Sequence, residues 1–264
     1  MRFLYGPVPS WRLGRSLGID PVSTPSKTCS FDCVYCQLGP AGGTTVERRT
    51  FVAPEDLRRE LDAFPDVPCD TVTFSGVGEP TLAENVAELA DLARARFPER
   101  PLAILTNSSL VHLPGVRKDL ARFDLVVAKL DAPDEALFRA IHRPHPSLSL
   151  ARTLEGLRRL REEFRGRLAL QIMCLAENES RSADLAALAR SLRPDEVYLN
   201  TPLRPSSSEP LNEGRMAEIE KRFSGLRVRN VYRARRPSVE AIEPGGARRR
   251  RPRESRSESP PESP

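Results

Sequence analysis

Three cysteines in the run Cys29-Ser30-Phe31-Asp32-Cys33-Val34-Tyr35-Cys36 are the residues of this chain best suited to chemistry. Thiolates are soft ligands that favour iron-sulfur clusters or zinc. Cys29, Cys33 and Cys36 fit three corners of a [4Fe-4S] cluster and leave the fourth iron open, as a catalytic centre requires. A zinc knot is the competing reading, because a C-x-x-C pair with a nearby third thiol also occurs in zinc sites. It lacks a fourth ligand in this sequence. Cys69 and Cys174 stand alone in apolar, strand-like stretches, where a free cysteine packs as a small hydrophobe. None of His112, His142 and His145 has pair spacing near the cysteine run.

A second candidate is Thr73-Phe74-Ser75-Gly76-Val77-Gly78-Glu79-Pro80-Thr81-Leu82, which leaves an apolar strand pattern and enters a helical one. Gly76 and Gly78 let backbone approach a ligand closely, and Glu79 adds a carboxylate. Thr81 and Glu84 have the spacing of a capping box for a helix carrying Val86, Leu89, Ala93 and Phe97.

These residues need a frame, and the pattern supplies one. Strand-like segments at 18–22, 70–75, 102–106, 125–130, 168–173 and 196–200 alternate with helical ones at 54–64, 82–97, 114–123, 150–164 and 181–192. That alternation predicts a parallel α/β sheet with crossover helices. A further helix at 215–223 and a strand at 226–232 close the far edge, while the Gly- and Pro-rich start is expected to wrap irregularly over one end. In such sheets chemistry collects at the carboxyl ends of the strands. The polar residues there are Asn107, Lys129 and Asp131, then Asn200 and Arg204. Asn107 and Asp131 have a second role open to them as helix caps.

The hydrophobic fraction of 39% can supply a core for one domain, and no apolar run approaches a membrane span. Five cysteines, an odd number, argue against a disulfide framework and for a reducing cytoplasm. The net charge is +5, but the stretch 245–264 holds six arginines against three glutamates, so the rest of the chain is nearly balanced. We expect residues 1–235 to form the domain and the Arg/Ser/Pro-rich stretch 236–264 to be disordered.

The cysteine spacing, with Tyr35 just before the last thiol, and the segment ending in Glu79 resemble those of radical S-adenosylmethionine (SAM) enzymes. The opening Tyr5-Gly6-Pro7-Val8-Pro9-Ser10-Trp11-Arg12 with Lys27-Thr28-Cys29, Lys129-Leu130-Asp131-Ala132, Ile141-His142-Arg143-Pro144 and Asn200-Thr201-Pro202-Leu203-Arg204-Pro205 narrow the resemblance. It is to a compact prokaryotic group of radical SAM iron-sulfur oxidoreductases, distantly related to the wybutosine-forming enzyme of tRNA modification. Trp11 departs from it, standing where the group is expected to carry an arginine, and Pro40-Ala41-Gly42-Gly43 loosens the segment after the cysteines.

The resemblance implies a partial (β/α)6 TIM-like barrel and a [4Fe-4S] cluster on Cys29, Cys33 and Cys36, with SAM chelated to the open iron. It places Tyr35 near the adenine and Gly76, Gly78 and Glu79 at the SAM ammonium, with Asn107, Lys129 and Asp131 as further cofactor contacts. Reductive cleavage of SAM would start radical chemistry, with an electron donor such as flavodoxin or ferredoxin. The substrate is left open between a tRNA, a peptide and a small metabolite. The alternative is a zinc- or cluster-containing RNA-binding or interaction protein without SAM chemistry.

Overall fold

The computed structural model describes residues 2–242 and 244–250. Its frame is one sheet of eight strands that follow each other in chain order. β1 (Leu4–Ser10) and β2 (Gly14–Ile19) form an antiparallel hairpin. β3 (Thr71–Phe74), β4 (Leu102–Thr106), β5 (Leu125–Lys129), β6 (Arg167–Met173), β7 (Glu196–Asn200) and β8 (Val228–Asn230) then run parallel to β2. The helices α1 (Pro54–Ala63), α2 (Val86–Arg96), α3 (Pro114–Leu120), α4 (Glu135–His142), α5 (Leu150–Glu163), α6 (Ala176–Glu179), α7 (Ser182–Leu192) and α8 (Glu213–Arg222) return the chain between strands. Runs such as Val126-Val127-Ala128 and Leu168-Ala169-Leu170 are buried throughout, as expected of parallel strands covered on both faces.

The sheet curls into a half-barrel. Trp11, in the turn between β1 and β2, meets Tyr198 of β7 edge-on with ring centroids 5.8 Å apart. Arg229 of β8 reaches the Arg12 carbonyl as well. Strands so distant in sheet order touch only if the sheet bends round, and this turn plugs the end of the barrel at which β2 begins. β2 to β7 are the six strands expected of a partial (β/α)6 TIM-like barrel.

The differences from the sequence reading have physical causes. The Gly- and Pro-rich start, expected to be irregular, is strand β1. As an edge strand with a register shift between Tyr5 and Val8, it tolerates prolines that donate no hydrogen bond. The first barrel strand is accordingly 14–19 and not 18–22. Gly18 has to lack a side chain there, since a Cβ would stand 2.1 Å from the Tyr5 ring. The Thr81/Glu84 capping box does not form. Thr81 donates to Glu79, Glu84 accepts from Thr50, and α2 starts after Asn85. Helix α4 was hidden by its shortness, and its cap is Asp134, not Asp131.

The segment read as disordered from 236 onward contains a helix, α9 (Pro244–Arg250). It is anchored by Arg250, which is only 2% exposed and pairs with Asp20 at 2.7 Å. Polar composition hid this anchor, because one buried arginine needs a partner elsewhere in the chain rather than a local apolar pattern. The remainder of that segment, 251–264, lies outside the described residues.

Candidate active site

The cysteine loop leaves the end of β2 and is tied to the neighbouring strand end by backbone. Thr28, just before Cys29, donates its N–H to the Val77 carbonyl at 3.1 Å and accepts from the Glu79 N–H at 3.1 Å. This close approach is why residue 78 is glycine, as a Cβ there would lie 1.7 Å from the Thr28 oxygen. Gly76 likewise clears room for Asp20, whose Cγ would be 2.0 Å from an added Cβ. The glycines expected to admit a ligand thus first admit the protein itself, although Gly76 also borders the cavity described below. Within the loop, Asp32 accepts from Lys27 Nζ at 2.8 Å and from the Ala41 N–H at 2.7 Å, pinning the turn between Cys29 and Cys33.

Glu79 is buried and takes four protein donors. Oε1 accepts from Thr81 N, Thr81 Oγ1 and Thr106 Oγ1 at 3.1, 2.7 and 2.7 Å, and Oε2 accepts from Asn107 N at 2.6 Å. Burial raises its pKa and these bonds oppose the rise. Asn107 in turn holds the cysteine loop, its Nδ2 lying 2.9 Å from Ser30 Oγ and 3.5 Å from Cys29 Sγ. Its Oδ1 accepts from Ser109 N, so it caps the turn as well.

The far side of the loop meets the end of β5. Tyr35 donates its hydroxyl hydrogen to Asp131, and Lys129 Nζ donates to the same hydroxyl at 3.0 Å from above the Tyr35 ring. Asp131 is buried, and its other oxygen accepts from Met173 N at 2.7 Å. His142, which the sequence reading set apart from the cysteines, lies with Nδ1 3.3 Å from Cys33 Sγ. It stacks on Phe31 with centroids 4.8 Å apart, and burial lowers its pKa to about 4, so it is neutral. Spacing missed it because α4 brings it back from a distance in sequence. The helical pattern around Phe138 and Ile141 was the available signal.

The three cysteines are free and half-buried as residues, with the thiols of Cys29 and Cys33 turned inward. Burial pushes Cys29 up to about 11 and Cys33 up to about 12. Among the described residues no three His, Cys, Asp or Glu side chains converge as ligands of a single ion. This donor set, three soft ligands along one loop, fits a multi-iron cluster better than a closed mononuclear zinc site. Cys69 and Cys174 are buried and free, as expected.

Cys36 and Tyr35 face a cavity of about 290 Å³ that fills the half-barrel, with Gly76, Lys129, Gln171 and Asn200 on its wall. Glu79, Asn107 and Asp131 do not line that cavity; Asp131 is hydrogen-bonded to two residues that do, Tyr35 and Met173, whereas Glu79 and Asn107 bond to Thr81, Thr106 and Ser30 away from it.

The sequence model of the radical SAM superfamily matches residues 23–189, from before the cysteine loop to α7. The chain belongs to the radical SAM superfamily. A UPF0026 protein of Methanocaldococcus jannaschii is 40% identical over 228 residues, covering 84% of this chain and 70% of that one. A UPF0026 protein of Synechocystis is 40% identical over 218 residues, covering 80% of each. The solved structure of native anSMEcpe with bound AdoMet shares the fold at a TM-score of 0.61 and 17% identity. It aligns over 82% of this chain but only 64% of its own length. The protein is a radical SAM enzyme with the family's partial barrel. Among the described residues no helix is long and apolar enough to cross a membrane.

Proposed function

We propose that Cys29, Cys33 and Cys36 ligate a [4Fe-4S] cluster whose open iron takes the amino and carboxylate groups of SAM. The observation that carries this reading is the three-thiol loop locked through Thr28 to Gly78 and opening at Cys36 onto the cavity. When bound, such a cluster delivers one electron that cleaves SAM to methionine and a 5′-deoxyadenosyl radical able to take hydrogen from a substrate. The chain supplies position and exclusion of water.

Gly76 offers backbone at the cavity edge for the SAM ammonium, and Gly78 and Glu79 hold that edge in place. Tyr35, fixed by Asp131 and Lys129, presents its ring toward the adenine, and Asn107 steadies Cys29. An electron donor such as flavodoxin or ferredoxin, a cytoplasmic location and a domain ending near residue 235, with α9 as an added anchor, complete the proposal.

The test is anaerobic reconstitution with iron and sulfide, then dithionite and SAM. Equimolar methionine and 5′-deoxyadenosine are expected from the wild type and none from Cys33→Ala, while Cys69→Ala stays active. A colourless zinc protein that leaves SAM intact would establish the interaction-module reading instead.

A further inference from the structure

His142 is a buried polar ring in an aromatic slot. It stacks on Phe31 with centroids 4.8 Å apart and meets Phe138 edge-on at 5.2 Å. A phenylalanine would fill such a slot without stripping two ring nitrogens of water, so the nitrogens are explained by what they face. Nδ1 lies 3.3 Å from Cys33 Sγ. Nε2 stands 3.7 Å from Asp131 Oδ2, beyond hydrogen-bond reach. That same oxygen takes the Tyr35 hydroxyl hydrogen, and the other carboxylate oxygen takes the Met173 N–H.

Backbone holds the sulfur against the ring. On one side of Cys33 the Asp32 N–H donates to the His142 carbonyl at 2.9 Å, and on the other the Val34 N–H donates to the Ile141 carbonyl at 3.0 Å. Cys33 is thus pinned at both neighbours to the last turn of α4, the turn that carries the imidazole. A sulfur bound to iron has no proton and can only accept, so the contact is satisfied when Nδ1 carries the hydrogen. Cys29 has a looser counterpart in Asn107, whose Nδ2 is 3.5 Å from its sulfur and also donates to Ser30 Oγ at 2.9 Å.

We propose that His142 acts through Cys33, donating a hydrogen bond from Nδ1 to its sulfur and so raising the reduction potential of the cluster that the three cysteines hold. This inference rests on the cluster ligation proposed above. One-electron reduction adds negative charge that the cysteine sulfurs share, and an N–H aimed at one of them stabilises the reduced form more than the oxidised one. Burial of the pair away from water strengthens the effect. The electron comes from the external reductant, and the hydrogen stays on nitrogen.

The test compares reduction midpoints of the reconstituted full chain without SAM, read by electron paramagnetic resonance during anaerobic titration with dithionite, in the wild type, His142→Phe and His142→Asn. Phenylalanine keeps the stack and removes the donor, whereas the asparagine amide puts an N–H where Nδ1 stands. At matched iron content, His142→Phe is expected to shift the equilibrium about tenfold toward the oxidised cluster, a midpoint lower by about 59 mV. His142→Asn should recover more than half of that shift. Pulsed spectra of the reduced wild type grown on nitrogen-15 histidine give a second readout: weak nitrogen coupling to the cluster, lost in His142→Asn, is expected. Should His142→Phe refuse iron, this coupling decides. Equal midpoints in all three proteins, an equal fall in both variants, or a wild-type cluster without nitrogen coupling would overturn the inference and leave the cluster ligation standing. A wild type that takes up no iron would overturn that ligation and this inference with it.

Discussion

On the β2–β3 side of the half-barrel mouth, backbone lies on backbone: Gly78 abuts the Thr28 carbonyl, Gly76 abuts Asp20, and Glu79 takes four donors. On the β6–β7 side, Gln171 and Asn200 turn into open cavity. The first wall has no slack and suits a cofactor whose place never varies. The second wall leaves polar groups facing space, as a substrate pocket does. The same sheet thus carries a close-packed wall and an open one, joined by Tyr35, Asp131 and His142; under the function proposed above, the first would hold the cofactor and the second would face the substrate.

The largest expected effect is at the anchor behind the close-packed wall. Arg250→Ala, or truncation before residue 245, leaves Asp20 buried without its cation. Losing one partner of a buried pair costs about 3–5 kcal/mol. A markedly lower melting temperature with loss of SAM cleavage is expected, and an unchanged melt would show that α9 is dispensable.

Gly78→Ala comes next. Its methyl would overlap the Thr28 oxygen, and backbone cannot yield as a side chain can, so about 3 kcal/mol of strain is expected. Iron retained after reconstitution should fall with stability, since the overlap pries the cysteine loop from β3. Full iron loading would contradict the idea that this wall holds the loop.

The join between the walls should respond to acid. His142 has a folded pKa of about 4, lowered chiefly by burial, against about 6.5 in the unfolded chain. Between these values the unfolded state binds a proton that the folded state refuses. Stability from this group is therefore complete above about pH 6.5 and declines toward pH 4, by roughly 3 kcal/mol in all. Urea midpoints across that range should show His142→Asn losing less stability than the wild type. Parallel pH profiles would refute the buried neutral imidazole.

The smallest effect belongs to the open wall. Asn200→Ala should change stability by no more than about 0.5 kcal/mol and leave iron content unaltered. A large drop in either would mean that this wall, too, is built for the cofactor.

The sequence displayed the barrel because its strands are short apolar runs separated by helices of clear period, which is local information. The cysteine loop and Glu79 were legible for the same reason. What lay beyond reach was pairing across the chain. Arg250 finds Asp20 over a span of 230 residues, and His142 reaches Cys33 over 109. Glu79 looked like a ligand's partner, yet its carboxylate is taken up by Thr81, Thr106 and Asn107, contacts that only the folded sheet brings together. Edge strand β1 was obscured because its prolines violate the rule for central strands and obey the one for edges.

The account depends most on an open iron at the cavity. Electron paramagnetic resonance of the reduced, reconstituted protein tests it directly, because a ligand arriving at the cluster alters its signal. The expected result is a cluster signal in the wild type that changes on adding SAM, with none of that response in Cys36→Ala. A cluster signal indifferent to saturating SAM, or a preparation that takes up zinc and no iron, would contradict it.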